Sequence, residues 1–387
     1  MSLGTYIYFS ALYLPHLGGV ERYTYNLSKK LVEFGNKVII VTSALGDDEG
    51  ISVDQGIEII RVPSILLLGG RFPIVKKNTA FKKIWNILHD ASADYVLVNT
   101  RYYMLSLLGL NFARNKNLPA IVIDHSSDYL SVGNEILDRV IHLYENVITT
   151  KVKKYQPAFF SVSSRGVEWL RHFNISASGV LHNAVDLELY QNAAKDFNMR
   201  ITEKSKASFK VVYVGRLVPE KGVLKLCEAV QSLVDNGNKG ICLEIAGSGP
   251  AEDEVKKRCN NNIIFLGRLD AKDVAKVLRE GDVFCLPTVY PEGFPTVLLE
   301  AGASKMGIIV TDTGGARELI PDEGYGIVLS DNSVKSISEA IMRFYSDFSY
   351  LSQVSSRLEI RVAENFTWEK TALVLTEFCE SETNKQI

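Results

Sequence analysis

What this chain has little of narrows its possibilities first. Among 387 residues there are five cysteines, and Cys227, Cys242, Cys259, Cys285 and Cys379 all fall in the C-terminal half. Their number is odd and no two stand at C-x-x-C spacing, which supports neither a disulfide framework nor a zinc site. Reduced core thiols of a cytoplasmic protein are expected instead. No apolar run approaches the roughly 20 residues that a bilayer crossing needs. Nothing near Met1 reads as a charged n-region, an apolar core and a small-residue cleavage site. Charge of one sign is scarce as well: the net charge is −2, which argues against nucleic acid as a partner. The balance is uneven, since residues 1–184 carry 19 Lys and Arg against 15 Asp and Glu, leaving −6 for the remainder. A mildly basic first half suits an anionic surface or acceptor.

Two further absences concern chemistry. The first βα turn lacks G-x-G-x-x-G, and the strand Val38–Val41 ends in Thr42-Ser43 rather than an acidic residue, which disfavours a nicotinamide-dependent enzyme. No D-x-D tripeptide is present to chelate Mg²⁺ or Mn²⁺, so no metal and no cofactor are expected.

What is present is a regular α/β alternation in a chain long enough for two domains. Strands are predicted at Tyr6–Phe9, Lys37–Thr42, Ile57–Val62, Tyr95–Asn99, Ala120–Asp124 and Ala158–Val162. Helices are predicted at Val20–Phe34, Lys76–His89, Met104–Asn115 and Gly133–Lys154. The pattern breaks over Asp186–Ser208, the expected linker, and resumes with strands at Phe209–Val214, Ile241–Ala246, Ile263–Leu266, Val283–Leu286, Ile308–Thr311 and Gly326–Leu329. Helices at about Val334–Asp347, Tyr350–Glu364 and Trp368–Ser381 close the chain. Two doubly wound α/β units in tandem follow from this, with ligands expected beyond the carboxyl ends of the strands.

Three segments at those ends carry chemistry. Gly215-Arg216-Leu217-Val218-Pro219-Glu220-Lys221-Gly222 follows a strand and opens a helix. Arg216 can fork onto phosphate oxygens and Lys221 adds a point charge near a helix N-terminus. Gly247-Ser248-Gly249-Pro250 lets backbone approach a ligand closely. In Pro291-Glu292-Gly293-Phe294-Pro295-Thr296-Val297-Leu298-Leu299-Glu300 two glutamates stand eight positions apart around a helix start. The N–H groups of Gly293, Thr296 and Val297 suit phosphate, while Glu292 and Glu300 suit hydroxyls.

Together these segments resemble the retaining GT-B glycosyltransferases of family 4, whose marks are G-R-L…E-K-G, G-x-G-P and E-G-F-P-x-x-x-x-E in this order. Gly18-Gly19-Val20-Glu21 resembles that family's N-terminal G-G-x-E loop, and Asn183-Ala184-Val185-Asp186 its interdomain N-G-V-D with alanine for glycine. The resemblance implies two facing Rossmann-like domains: an acceptor domain over 1–185, a donor domain over 186–366, and a helix over 367–387 that packs back on the first. It also implies roles. Arg216 and Lys221 neutralise the donor diphosphate, Glu300 holds the ribose, and Glu292 with the backbone of Gly293 and Phe294 grips the sugar. Gly18 and Gly19 approach the distal phosphate from the other domain, and Gly267-Arg268-Leu269 meets the base. His125 lies near the transferred sugar; Asn99 and Arg101 are candidates for the acceptor side. The implied donor is a nucleotide-diphosphate sugar, UDP-linked before GDP-linked, and the acceptor a sugar or lipid-linked hydroxyl. The competing readings are a nucleotide-sugar epimerase or other GT-B sugar-nucleotide enzyme, and an idle binding subunit. The E-x7-E pattern disfavours the first and the intact charged residues the second.

One surface reading is separate. Residues 65–88 join Ile65-Leu66-Leu67-Leu68 to a helix with Lys76, Lys77, Lys82, Lys83 and Trp85. That stretch is a candidate for peripheral contact with the inner face of a membrane, against the plainer reading of a helix covering the sheet.

Overall fold

A computed structural model describes residues 3–386 except 17, 47, 68–69, 71, 132–133 and 192–208, so most of the expected linker lies outside the described residues. The chain divides into two compact units, Met1–Asn183 with Trp368–Ile387, and Ala184–Thr367.

The first unit is a sheet of β1 (Thr5–Phe9), β2 (Lys37–Ser43), β3 (Gly50–Asp54), β4 (Ile57–Val62), β7 (Tyr95–Asn99), β8 (Ala120–Asp124), β9 (Ala158–Ser161) and β10 (Gly179–Val180). A separate antiparallel hairpin joins β5 (Ser64–Leu67) and β6 (Phe72–Val75). The order is β10-β9-β8-β7-β1-β2-β4-β3, with only β3 antiparallel to its neighbour. Central strands such as Val38–Val41 and Val96–Val98 are apolar without alternation and buried on both faces, the pattern of a parallel sheet covered on both sides. The helices are α1 (Gly19–Glu33), α2 (Thr79–Asp90), α3 (Met104–Lys116), α4 (Glu135–Lys153) and α5 (Ser164–His172). The start expected at Gly133 lies outside the described residues.

The second unit contains α6 (Leu187–Gln191), β11 (Phe209–Val214), α7 (Val223–Asp235), β12 (Ile241–Ala246), α8 (Glu252–Arg258), β13 (Ile263–Gly267) and α9 (Ala271–Glu280). It continues through β14 (Val283–Leu286), α10 (Thr296–Ala303), β15 (Gly307–Thr311), α11 (Ala316–Leu319), β16 (Ile327–Leu329), α12 (Val334–Ser346) and α13 (Phe348–Asn365). Its sheet is wholly parallel in the order β13-β12-β11-β14-β15-β16. The last helix, α14 (Trp368–Gln386), belongs to the first unit: Trp368 packs edge-on to Tyr23 at 5.3 Å, and Thr383 Oγ1 meets the Tyr95 hydroxyl at 2.7 Å.

Both sheets grow outward from one central strand. The chain runs from β1 to β2 on one side and returns to β7 on the other; in the second unit it runs from β11 to β12 and returns to β14. The crevices between β1 and β7, and between β11 and β14, are therefore the places where a doubly wound sheet presents a ligand site.

Several elements were absent from the sequence expectation. Strand β3 is five residues long and largely exposed, so its Ile51 and Val53 mark no buried face, and the strands of the β5–β6 hairpin are four residues each. Ala184 sits outside the left-handed region, so alanine in place of glycine brings no backbone strain.

Candidate functional site

In the second unit the loops after four strands meet backbone to backbone. After β11, Pro219–Lys221 makes one turn of 3₁₀-helix and Gly222, at φ +75°, caps α7. A Cβ on Gly222 would stand 2.2 Å from the Pro287 carbonyl oxygen of the β14 loop, so only glycine allows that approach. Val289 N–H donates to Glu220 O at 2.7 Å across the same seam. On the other side, a Cβ on Gly247 (φ +147°) would lie 1.9 Å from Gly215 O, and Gly247 N–H donates to Gly267 O at 2.8 Å. Gly249 lies against Leu217, whose N–H donates to Ser248 O at 2.9 Å. The half-buried Leu269 follows Gly267, so the three loops expected around a nucleotide are contiguous.

The charged residues converge where β11 and β14 adjoin. Lys221 Nζ lies 2.8 Å from Glu292 Oε1, with both side chains about one-sixth exposed (17% and 16%). The Lys221 ammonium also stands 6.0 Å from the centroid of the Tyr290 ring. Arg216 is exposed, and its carbonyl accepts from the Tyr213 hydroxyl at 2.9 Å. Beyond Glu292, Phe294 is buried against Phe366 and Gly315, so at Gly293-Phe294 only backbone is offered to a ligand. No side chain caps α10, whose first turn begins with the N–H groups of Thr296 and Val297. Glu300, half-buried, stands one turn further along the same helix. The loop Thr313-Gly314-Gly315 after β15 closes over Glu292 and Gly293; sequence reasoning passed it by, although its Gly-Gly before a short helix was a signal.

The first unit holds a different constellation. Gly18 is the N-cap of α1, with the Glu21 carboxylate folded over it and accepting from His16 at 3.1 Å. A Cβ on Gly19 would meet no protein atom, so packing within the chain does not explain glycine there. One turn on, the Tyr23 ring stands edge-on to His125 at 4.8 Å. His125 Nε2 meets Asn99 Oδ1 at 3.0 Å, and the Tyr8 hydroxyl donates to the same oxygen at 2.9 Å. Asn99 Nδ2 donates to Ser10 Oγ and Thr24 Oγ1. With the amide so oriented, Oδ1 must accept, Nε2 carries the imidazole proton and Nδ1 remains an acceptor. Burial pushes the imidazole down to about 4 although the Asp124 carboxylate works the other way, so His125 is neutral near pH 7.

One expectation changes here. Arg101 does not line a surface. It is fully buried, its guanidinium bonded to Asp124 and Glu145 and lying 4.2 Å over the Phe173 ring. Between it and Asn99 stands Thr100 at φ +60°, a β-branched residue in the left-handed region, held by Ser106 Oγ donating to its carbonyl at 2.9 Å. That turn directs neighbouring side chains to different surroundings. On helix α2, Phe81, Ile84 and Leu88 are in the core and Trp85 stacks on Phe81, while Ile87, exposed, stands one turn after Lys83.

Residues 17–189 match the family described as Glycosyltransferase Family 4, and residues 194–357 the family described as Glycosyl transferases group 1. An uncharacterized glycosyltransferase of Methanocaldococcus jannaschii is 24% identical over 376 residues, spanning 94% of this chain and 95% of its own. The GPI3 subunit of phosphatidylinositol N-acetylglucosaminyltransferase from Saccharomyces cerevisiae is 24% identical over 373 residues, spanning 93% of this chain and 79% of its own. Among solved structures, Anabaena HepE in complex with UDP-glucose superposes with a TM-score of 0.70 at 17% identity, covering 98% of this chain and all of the other. That last likeness carries the fold, the two-unit α/β architecture called GT-B.

Proposed function

The chain belongs to the group 1 and family 4 glycosyltransferases, and from that premise we propose that it moves a hexose-type sugar from a UDP-sugar to a hydroxyl acceptor with retention at the anomeric carbon. The observation that carries this reading is the half-buried Lys221–Glu292 pair at the crossover of the second sheet.

A lysine and an arginine beside a helix start form an anion site, and at reduced dielectric their charges act more strongly than in water. Lys221 and Arg216 therefore take the donor diphosphate, with the N–H groups of Thr296 and Val297. Glu292 would be repelled by phosphate. Held to Lys221 through one oxygen, it keeps the other for sugar hydroxyls, while Glu300 accepts from the ribose diol. Gly247, Gly249, Gly293 and Phe294 contribute backbone, and Leu269 a wall for the base. His125, being neutral, addresses a sugar hydroxyl without adding charge, and Gly18 and Gly19 serve the distal phosphate.

In the transfer step the acceptor oxygen bonds to the anomeric carbon as the carbon–phosphate oxygen bond breaks on the same face. The acceptor proton passes to the departing phosphate oxygen. Charge develops on that phosphate, and Arg216, Lys221 and the helix start stabilise it in place of a divalent ion. Residues of the first unit take the acceptor. The name of the yeast relative, which contains a phosphatidylinositol, supports a lipid-linked acceptor, and glycolipid or polysaccharide assembly is the setting assigned.

A thermal-shift series with UDP, GDP and ADP in EDTA tests the donor. UDP is expected to raise the melting temperature by mass action, and Arg216→Ala or Glu300→Ala to abolish the shift. A shift with GDP alone would correct the base. Silence from all three at millimolar concentration would remove the donor site.

A further inference from the structure

Helix α4 carries apolar residues on two faces, and a helix lying on a sheet in water needs only one. Ile148 and Val152 are buried, beside Glu145 and Thr149. On another face Ile136, Val140, Leu143 and Val147 recur at spacings of four, three and four, and all are exposed, Ile136 by 76% and Leu143 by 67%. Leu137, also exposed, widens the seam. The β5–β6 hairpin extends it: Phe72 packs edge-on to Tyr144 of α4 at 5.4 Å, and Ile65, Leu66 and Leu67 are exposed on the paired strand. Scattered apolar residues on a surface need no explanation, but a continuous seam at helical period does.

Charge says what covers it. The seam runs on at spacings of four and seven from Val147 into Lys151 and Lys154, both exposed, and Arg139 stands three positions beyond Ile136. The helix's acids are elsewhere. Glu145 is buried on Arg101, Asp138 accepts from Ser131 at 2.7 Å, and Glu135, next to Ile136 in sequence, faces another side. Apolar side chains flanked by cations, with acids turned away, fit an anionic lipid surface, where the apolar seam enters the headgroup boundary and the cations meet phosphates. A second copy of this chain would bring the same cations against themselves.

We propose that the first unit rests on anionic lipid through the exposed face of α4 and the β5–β6 hairpin, not through the lysines of α2. The further consequence, that a membrane-borne acceptor is presented there, rests on the function proposed above. The binding test itself needs neither donor nor turnover, so the two readings fail separately.

Co-sedimentation with vesicles of phosphatidylglycerol and phosphatidylcholine in equal parts, against phosphatidylcholine alone, is the experiment. The full chain is expected to pellet with the anionic vesicles and less so as salt rises. Val140→Glu with Leu143→Glu should lower partitioning roughly tenfold or more, from the lost burial of two apolar side chains. Lys151→Glu with Lys154→Glu should lower it on anionic vesicles only. Lys82→Glu with Lys83→Glu should leave it unchanged. All these positions are exposed, so melting temperatures should match the wild type. No pelleting by the wild type, or equal pelleting by the α4 variants, overturns the proposal. Loss of a dimer in solution, rather than of lipid binding, on changing Val140 and Leu143 would assign the face to a second copy instead.

Discussion

The two sheets are wound alike around a central strand, yet the charges at their crossovers are handled in opposite ways. In the second unit Lys221 and Glu292 stand half-buried at the loop rim, with Arg216 exposed nearby. In the first, Arg101, Asp124 and Glu145 are sealed away, and burial pushes the Glu145 carboxyl up even with Arg101 beside it. The group left at that rim is a neutral imidazole. A buried cluster whose charges are paired with one another has nothing to offer a ligand, whereas a pair left at the edge of solvent can exchange one partner for a phosphate or a hydroxyl. Where opposite charges stand matters more than how many there are.

The sharpest way to break this comparison is to remove Arg101. Arg101→Met leaves two buried carboxylates without their cation and should cost about 3–5 kcal/mol. The cost should appear as an earlier urea transition of the first unit, followed by Trp85 and Trp169 fluorescence. A loss of activity with unchanged unfolding would reverse the structural assignment of this residue.

Lys221→Ala is expected to do the opposite. Transfer should fall by roughly 10²–10³, the scale for one group aimed at developing charge, while unfolding in urea hardly moves. If the variant keeps wild-type turnover on a UDP-sugar, the rim pair is ordinary surface charge. Gly247→Ala tests whether the loops need their close approach. A Cβ there meets Gly215 O, and both strain and donor affinity should suffer, by about 1–3 kcal/mol in stability.

The smallest effect concerns pH. His125 ordinarily titrates near 6.5 and is held down at about 4 in the fold. Between those values the unfolded chain binds a proton that the folded one refuses. This contribution is therefore full above pH 6.5 and is lost as pH falls toward 4. Urea midpoints from pH 7 to 4.5 should drop less steeply in His125→Gln than in wild type. Parallel curves would place the titrating group elsewhere.

Much of the second unit's rim was legible from residues alone because its signals are local. A strand followed by Arg, Pro, Lys and Gly, or by Glu-Gly-Phe-Pro, states a turn, a helix start and a charge within one short segment. That Lys221 and Glu292 touch was not legible. They are separated by three strands and three helices, and only the return of β14 to the side of β11 brings them together. Arg101 was misread for a related reason. Its position after a strand resembles that of Arg216, and no local signal says which is sealed and which is open. On α2, the spacing of Phe81, Ile84 and Leu88 already marked an inward face. That α4 also carries an exposed apolar seam, at Ile136, Val140, Leu143 and Val147, was not singled out from the sequence.

By itself the sequence determined the alternation of strands and helices, the doubly wound class, and the glycine-bearing, charged loops that follow the strands, since periodicity and turn chemistry act over a few residues. Tertiary structure alone decided which charges are buried, which tautomer His125 holds, and which helix face is left bare. Each of these depends on the dielectric and the partners around a group, and those are supplied by strands and helices far away in the chain.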